Sequence, residues 1–175
     1  MRRPSGRWPA VTSAARSSWT TAGRCEERAA RSGHHRGHRH RLTPPEEVWR
    51  ELTDFAGYAL WHPTLRFVDV PTEILPGTRL RAQVSPGTEN DGEYTFTVLH
   101  YEAPRRLVWE GGIPDVLMGE HSFILEPRAG GTRYTESEEF TGTAAVATVE
   151  PARSQMEEDY ASYGRALRER LESGH

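Results

Sequence analysis

Apolar and polar positions follow three successive patterns along residues 42–175. In TPPEEVWRELTDF (43–55), Val48, Leu52 and Phe55 recur at i, i+4 and i+7, which is one face of a helix. Thr43 and Glu46 have capping-box spacing ahead of that stripe. Pro44 precedes Pro45 and is pushed out of the α region, so Pro45 is the expected first helical residue. Gly57 and Pro63 bracket a short second helical turn that carries Tyr58, Trp61 and His62.

Beyond Pro63 the helical period gives way to short runs rich in β-branched and aromatic residues, separated by turn residues. LRFVDVPTEI (65–74) reads as a strand that Pro71 confines to an edge or a bulge. In TRLRAQV (78–84), Leu80, Ala82 and Val84 share one face and Arg79, Arg81 and Gln83 the other. SPGTENDGE (85–93) is a hairpin loop, followed by strands at YTFTVLHY (94–101), LVWEG (107–111), GEHSFILEP (119–127) and TRYTESEEF (132–140). IPDVLM (113–118) reads as an apolar connection.

The third pattern is helical again. Val149, Ala152, Met156, Tyr160, Tyr163, Leu167 and Leu171 are separated by steps of three and four, with Pro151 expected in the first turn. Strands joined by short turns are antiparallel, and one face of their sheet needs cover. The long helix has the matching stripe. The pattern predicts an α+β fold. A curved antiparallel sheet of six to seven strands wraps a long C-terminal helix, with two short helices near the N-terminal side.

Charge divides the chain. Residues 1–41 hold ten Arg and two Glu, whereas residues 42–175 hold twelve Arg and twenty-three acids, and Lys is absent. The leader contains no Leu, Ile or Phe, so it cannot bury enough apolar area to offset chain entropy and is expected to be disordered. Its composition also fits a mis-assigned start. The tract HHRGHRH holds His34, His35, His38 and His40, but no acid or thiol completes a site, so no metal and no cofactor are expected. The acidic body would repel phosphate, which argues against a nucleic-acid partner. Cys25 is the only cysteine, no apolar run reaches a membrane span, and no apolar segment follows Arg2 and Arg3. A cytoplasmic protein is the simplest expectation.

Six segments then carry a resemblance. PPEEVWRELTDFAGYALWHP, PGTRL, LVWEGG, GEHSFILEP, GGTRYTESEEFTG and YGRALRERLE occur in that order over roughly residues 43–172. Together they resemble the START-like (SRPBCC, Bet v 1-like) superfamily, and within it the polyketide cyclase/dehydrase-like branch. The resemblance implies a helix-grip fold with a cavity for apolar or amphipathic small molecules between sheet and helix. The family has a strand just before PPEEVW. Here HRHRLT takes that place, and its lack of apolar alternation leaves either a polar strand at 38–43 or none.

Alternation also assigns candidate site residues. His121 shares a face with Phe123 and Leu125, so it is expected to point inward. Tyr134, Glu136, Glu138 and Phe140 form one face that begins and ends with aromatics, which turns two carboxylates toward the cavity. A buried carboxylate needs a partner, and His121 is the nearest in the pattern. His121, Glu136 and Glu138 are therefore the candidate acid–base residues. Arg81 and Tyr94 are candidates for holding a polar head group. Trp61, Phe96, Val98, Trp109 and Phe123 are expected to line the sheet side, and Met156, Tyr160 and Tyr163 the helix side. Tyr58 and His62 are expected near the mouth, where His62 either touches a ligand or caps the helix end. Leu117 and Met118, with Val116, form an apolar loop suited to gating.

Three functions fit this reading. The first is a binder of a small hydrophobic or amphipathic ligand such as a lipid, an aromatic or a polyketide-like molecule. The second is a cyclase or dehydratase that uses His121 with Glu136 or Glu138. The third is a co-chaperone or accessory subunit acting through its surface. The sequence leaves the oligomeric state open.

Overall fold

The computed structural model of the chain describes residues 11–13, 19–20, 43–129 and 131–173. The elements are β1 (Val11–Ser13), β2 (Trp19–Thr20), α1 (Pro45–Thr53), a 3-10 helix (Phe55–Leu60), β3 (Leu65–Val68), β4 (Arg79–Val84), β5 (Gly92–Glu102), β6 (Arg106–Ile113), β7 (Leu117–Arg128), β8 (Gly131–Thr141) and α2 (Ala145–Ser173). This is the helix-grip α+β architecture: six antiparallel strands, β3 to β8, curve against the long α2, with two short helices on the N-terminal side.

Two prolines place the start of α1. Pro45 is its first residue, and extended Pro44 occupies the cap position without a side-chain bond. The capping box expected from Thr43 and Glu46 does not form. Thr43 is buried instead, and its carbonyl accepts the Thr132 hydroxyl at 2.8 Å. That bond ties the entry of α1 to β8. Val48 and Leu52 bury their stripe, and Phe55 continues it from the 3-10 helix.

The sheet order is β1-β8-β7-β6-β5-β4-β3, and β2 also pairs with β8. A register shift between Val98 and His100 adds a bulge to β5, which bends and twists the sheet there. The first long strand is shorter than expected: it stops at Val68, where Asp69 takes a left-handed φ of 51° just ahead of Val70 and Pro71. The connection 113–118 is also shorter. Leu117 and Met118 belong to β7 and pair with Ile113 and Gly112 of β6, because the backbone turns over Pro114–Val116 alone.

Among the described residues, β1 and β2 come from the leader. Val11 lies opposite Phe140 and Trp19 opposite Tyr134 on the outer edge of β8. Strand pairing satisfies backbone N–H and C=O groups, so it does not require the apolar side chains the leader lacks. Residues 38–42, where a polar first strand was one alternative, lie outside the described residues, as does the histidine tract.

The main core joins Val48 and Leu52 of α1, Phe55 and Tyr58 of the 3-10 helix, Leu80, Val98, Leu107, Trp109, Phe123, Leu125 and Tyr134 of the sheet, and Leu167 of α2. A second cluster, Phe140, Ala145 and Val149 with Leu117 and Met156 beside it, seats the start of α2. That helix begins earlier than its apolar stripe suggested, so Pro151 lies in its second turn.

Candidate functional site

β7 and β8 bring the polar centre of the molecule together. Strand alternation turns Tyr134, Glu136, Glu138 and Phe140 to the concave face, as it does His121 and Phe123. Glu136 is only 1% exposed. A buried carboxylate needs compensation, and it has two partners. His121 Nε2 lies 2.9 Å from Glu136 Oε1, and the Tyr134 hydroxyl donates to Glu136 Oε2 at 2.7 Å. His121 is clamped from both sides: its ring stacks on Phe123 at 4.4 Å between centroids and lies 5.3 Å from the ring of Tyr160. Tyr160 reaches down from α2 and donates its hydroxyl to the Glu138 carboxylate.

The titrations of these groups are linked. Burial pulls the His121 pKa down, but the Glu136 hydrogen bond and the Glu138 and Glu136 charges outweigh it and hold it above its ordinary value of 6.5. Burial first, and then Glu136, push the Tyr134 phenol well above 10. Burial and Glu138 do the same to Tyr160. Both tyrosines therefore remain hydrogen-bond donors at any ordinary pH.

A second histidine faces the same space in a different state. His62 Nδ1 accepts the backbone N–H of Leu65 at 3.1 Å and of Thr64 at 3.3 Å. It thus caps the turn that feeds β3. Its ring stacks on Tyr58 at 5.3 Å and lies 4.5 Å from Tyr163 of α2. Burial, then the His121 and Arg66 charges, lower its pKa to about 3. His62 is therefore a neutral imidazole with its proton on Nε2. The site pairs a proton-rich histidine with a proton-poor one.

Leu52, Tyr58, Trp61, His62, Leu65, Trp109, His121, Phe123, Tyr134, Glu136 and Tyr163 enclose a cavity of about 20 Å³. That is room for one water-sized guest. Tyr163 closes it on the helix side, where its hydroxyl lies 3.2 Å from Thr64 Oγ1. Trp61 contributes a buried Nε1–H with no acceptor among the described residues.

Most expected site residues meet here, and some do not. Tyr58, Trp61, His62, Trp109, Phe123, Tyr134 and Tyr163 line the cavity with His121 and Glu136. Glu138 and Tyr160 stand directly behind. Phe96 and Val98 are core residues of β5, with Phe96 packed 5.8 Å from Trp109. Met156 and Leu117 belong to the second cluster, away from the cavity. Met118 borders an open surface groove with Glu110, Pro114, Asp115, Thr141, Gly142 and Thr143. That groove is more open than the cavity, but it gathers no histidine or buried carboxylate, so the chemistry does not sit there. Arg81 is on the outer face, whereas Tyr94 lies opposite Ala82 on the inner face but at the solvent-exposed end of β5. Arg81 is paired with Asp69 and Glu93 at 2.9 Å each, and Tyr94 is 48% exposed. The polar face of β4 is thus solvated, as its alternation with buried Leu80 and Ala82 dictates. Leu52 and Leu65 were not singled out as site residues. Each carries a signal, the α1 stripe for one and the alternation with Phe67 for the other.

With this geometry, the comparisons are specific. Residues 38–172 match the family model described as polyketide cyclase / dehydrase and lipid transport. The chain belongs to that family. Solved structures share the fold at low identity. A protein of Thermus thermophilus, TTHA0849, is 19% identical with a TM-score of 0.59, over 74% of this chain and 90% of its own. Ms6760 of Mycobacterium smegmatis is 16% identical with a TM-score of 0.59, over 76% and 87%. Ara h 8.0201 is 12% identical with a TM-score of 0.61, over 75% and 92%. A search of curated proteins found no match. Family members commonly bind hydrophobic ligands. Among the described residues of this member, no helix is long and apolar enough to cross a membrane.

Proposed function

We propose that this family member binds a small, mostly apolar molecule between the sheet and α2, with the His121–Glu136–Tyr134 cluster at the polar end. The observation that carries the reading is the burial of that cluster inside walls built from Trp61, Trp109, Phe123 and Tyr58. A satisfied polar group at the floor of an apolar pocket orients a guest and confers specificity. No such cluster is needed to hold the sheet together, since an apolar core would do so at no desolvation cost.

The cavity of about 20 Å³ admits one water-sized guest, so a larger guest requires the site to open. A guest larger than a water molecule enters by parting Tyr163 of α2 from Thr64, a bond of 3.2 Å. The α2 wall beside Trp61 is the proposed gate, supported by the single Thr64–Tyr163 bond there and by the pairing of Leu117 and Met118 within β7. Trp61 and Trp109 both face the cavity and report occupancy by their fluorescence. Titration with a panel of single-ring aromatics, fatty alcohols and sterols is expected to change that emission and raise the melting temperature by mass action. A panel that changes neither, together with native mass spectra showing no retained small molecule, would end the reading.

A second reading rests on one further observation. His121 is charged more readily than an ordinary histidine and stands at the cavity wall, while His62 is held neutral beside it. A charged His121 can give its proton to a carbonyl compound in the cavity and take one back as the neutral ring, as in a cyclase or dehydratase, while His62, with Nδ1 occupied, takes no part in the transfer. Under this reading His121→Asn abolishes turnover of such a compound while leaving its binding within about threefold. With a single cysteine, Cys25, available for pairing, the cytoplasm is the proposed location.

A further inference from the structure

We infer that the guest of this cavity is uncharged and carries a hydrogen-bond-accepting oxygen that seats on Trp61 Nε1–H. The inference rests on the ligand-binding reading above and names the class of molecule it selects. Two observations carry it. The Trp61 indole N–H is buried, and no acceptor among the described residues reaches it. Buried donors are almost always paired, so an orphaned one on a cavity wall is a position reserved for an acceptor from outside the chain. The indole itself is fixed, packed 4.7 Å from Tyr58 and 5.2 Å from His62.

Charge then excludes anionic acceptors. Glu136 lines the cavity and Glu138 stands behind it, with His121 as their one cationic partner on that face. Both oxygens of Glu136 are already engaged, by His121 and Tyr134. Arg66 is adjacent in sequence but lies on the opposite face of β3 from cavity-lining Leu65, and its guanidinium is spent on the carbonyls of His62 and Leu65 at 2.6 and 2.8 Å. His62 presents a neutral ring. A carboxylate guest would meet two carboxylates with no free cation among the described residues to receive it, and like charges brought together in a dry site are costly. A ketone, ether or alcohol oxygen avoids that cost and still satisfies Trp61.

The test uses three probes of nearly equal shape on the full chain: acetophenone, isopropylbenzene and benzoate, with affinities read by titration calorimetry at pH 7. Acetophenone is expected to bind about tenfold more tightly than isopropylbenzene, the worth of satisfying one buried donor. Benzoate is expected to bind at least tenfold more weakly than acetophenone. Trp61→Phe removes the donor and leaves a smaller aromatic ring, so the affinity ratio of acetophenone to isopropylbenzene should fall from about ten to about one, whatever the altered wall does to both affinities. Equal binding of acetophenone and isopropylbenzene to the native chain would mean the indole N–H is served by water alone and would overturn the inference. Tighter binding of benzoate would also overturn it. Both results leave the ligand-binding reading intact. Failure of all three probes to bind would overturn the inference for single-ring guests, and the ligand-binding reading falls with it only if the fatty alcohols and sterols also fail.

Discussion

Glu51 of α1 and Arg170 of α2, 119 positions apart in sequence, meet at 3.0 Å across the top of the fold. Their side chains are 6% and 22% exposed, so the pair is largely shielded from water and salt. It fastens the last turns of α2, where Leu167 and Leu171 enter the main core, to the helix that carries Leu52 of the cavity wall. Removing Arg170 takes from the buried Glu51 carboxylate the cation that faces it at 3.0 Å. Arg170→Ala is expected to cost about 2 kcal/mol in urea unfolding. The double substitution Glu51→Leu with Arg170→Leu is expected to cost less than that single one, because it removes both charges. Equal costs would show the pair to be solvated and inert.

His62 makes the fold sensitive to acid. Its pKa is about 3 in the folded chain against 6.5 as the ordinary value. The unfolded chain therefore binds the proton more readily, and stability falls as pH drops through the window from about 6.5 to about 3. The slope from this one group approaches about 1.4 kcal/mol per pH unit. Asn offers an amide oxygen near the position of Nδ1, so His62→Asn can still accept from Thr64 and Leu65 without titrating. Between pH 6.5 and 4.5 the native chain is expected to lose about 2 kcal/mol relative to His62→Asn. Parallel stability curves for the two proteins would show that His62 is not held neutral.

How much of this was legible in the sequence follows from which interactions are periodic. Alternation along 119–127 and 132–140 put His121, Glu136 and Glu138 on one inner face, and steps of three and four put Tyr160 and Tyr163 on the sheet side of α2. Each of those placements needs only local geometry. What could not be read was set by pairing across the chain. Arg81 stays on the outer face that its alternation with Leu80 and Ala82 gives it, held there by Asp69 and Glu93, and Tyr94, though on the inner face opposite Ala82, falls at the exposed end of β5 beyond the cavity. Met156 was in phase with Tyr160 but lies a turn too near the start of α2, over Phe140 instead of Trp109. The Trp61 donor is invisible in any pattern, since a missing partner has no sequence signal. The two short leader strands carry no sequence signal for a related reason. The leader's composition argues against a core, but β1 and β2 ask only for the free backbone edge of β8.

His121 and Glu136 supply a spectroscopic test of the site. Burial alone would lower the His121 pKa, and the bond to Glu136 and the charges of Glu138 and Glu136 reverse that. Glu136→Gln keeps the shape and an acceptor oxygen but removes one charge. The His121 pKa, followed by NMR of its ring protons, is expected to fall in Glu136→Gln, and to fall less in Glu138→Gln, which acts only through space. Stability has the opposite sign from His62. The folded pKa of His121 is raised, so its contribution is full below about 6.5 and is lost as pH rises through the folded value. Glu136→Gln should therefore flatten the alkaline side of the stability curve. An unchanged His121 titration would show the pair to be uncoupled.

Two glycines separate backbone constraint from site geometry. Gly112, at the β6–β7 turn, has φ of 136°, and a Cβ there would overlap the backbone carbonyl oxygen of Leu117 on the paired strand. Neither atom can move without breaking the hairpin, so Gly112→Ala is expected to cost about 3 kcal/mol. Gly119 has no such φ. A Cβ there would meet the carboxylate end of Glu138, a flexible group that can swing aside. Gly119→Ala is expected to cost only about 1 kcal/mol, through loss of the Tyr160–Glu138 bond. It should also lower the His121 pKa, because the Glu138 charge that helps raise it moves away. Chemical denaturation ranks the two costs, and NMR titration of His121 separates the mechanisms, since Gly112→Ala leaves Glu138 where it is. A Gly119→Ala chain with native stability and a native His121 titration would mean that Glu138 is not held against Tyr160.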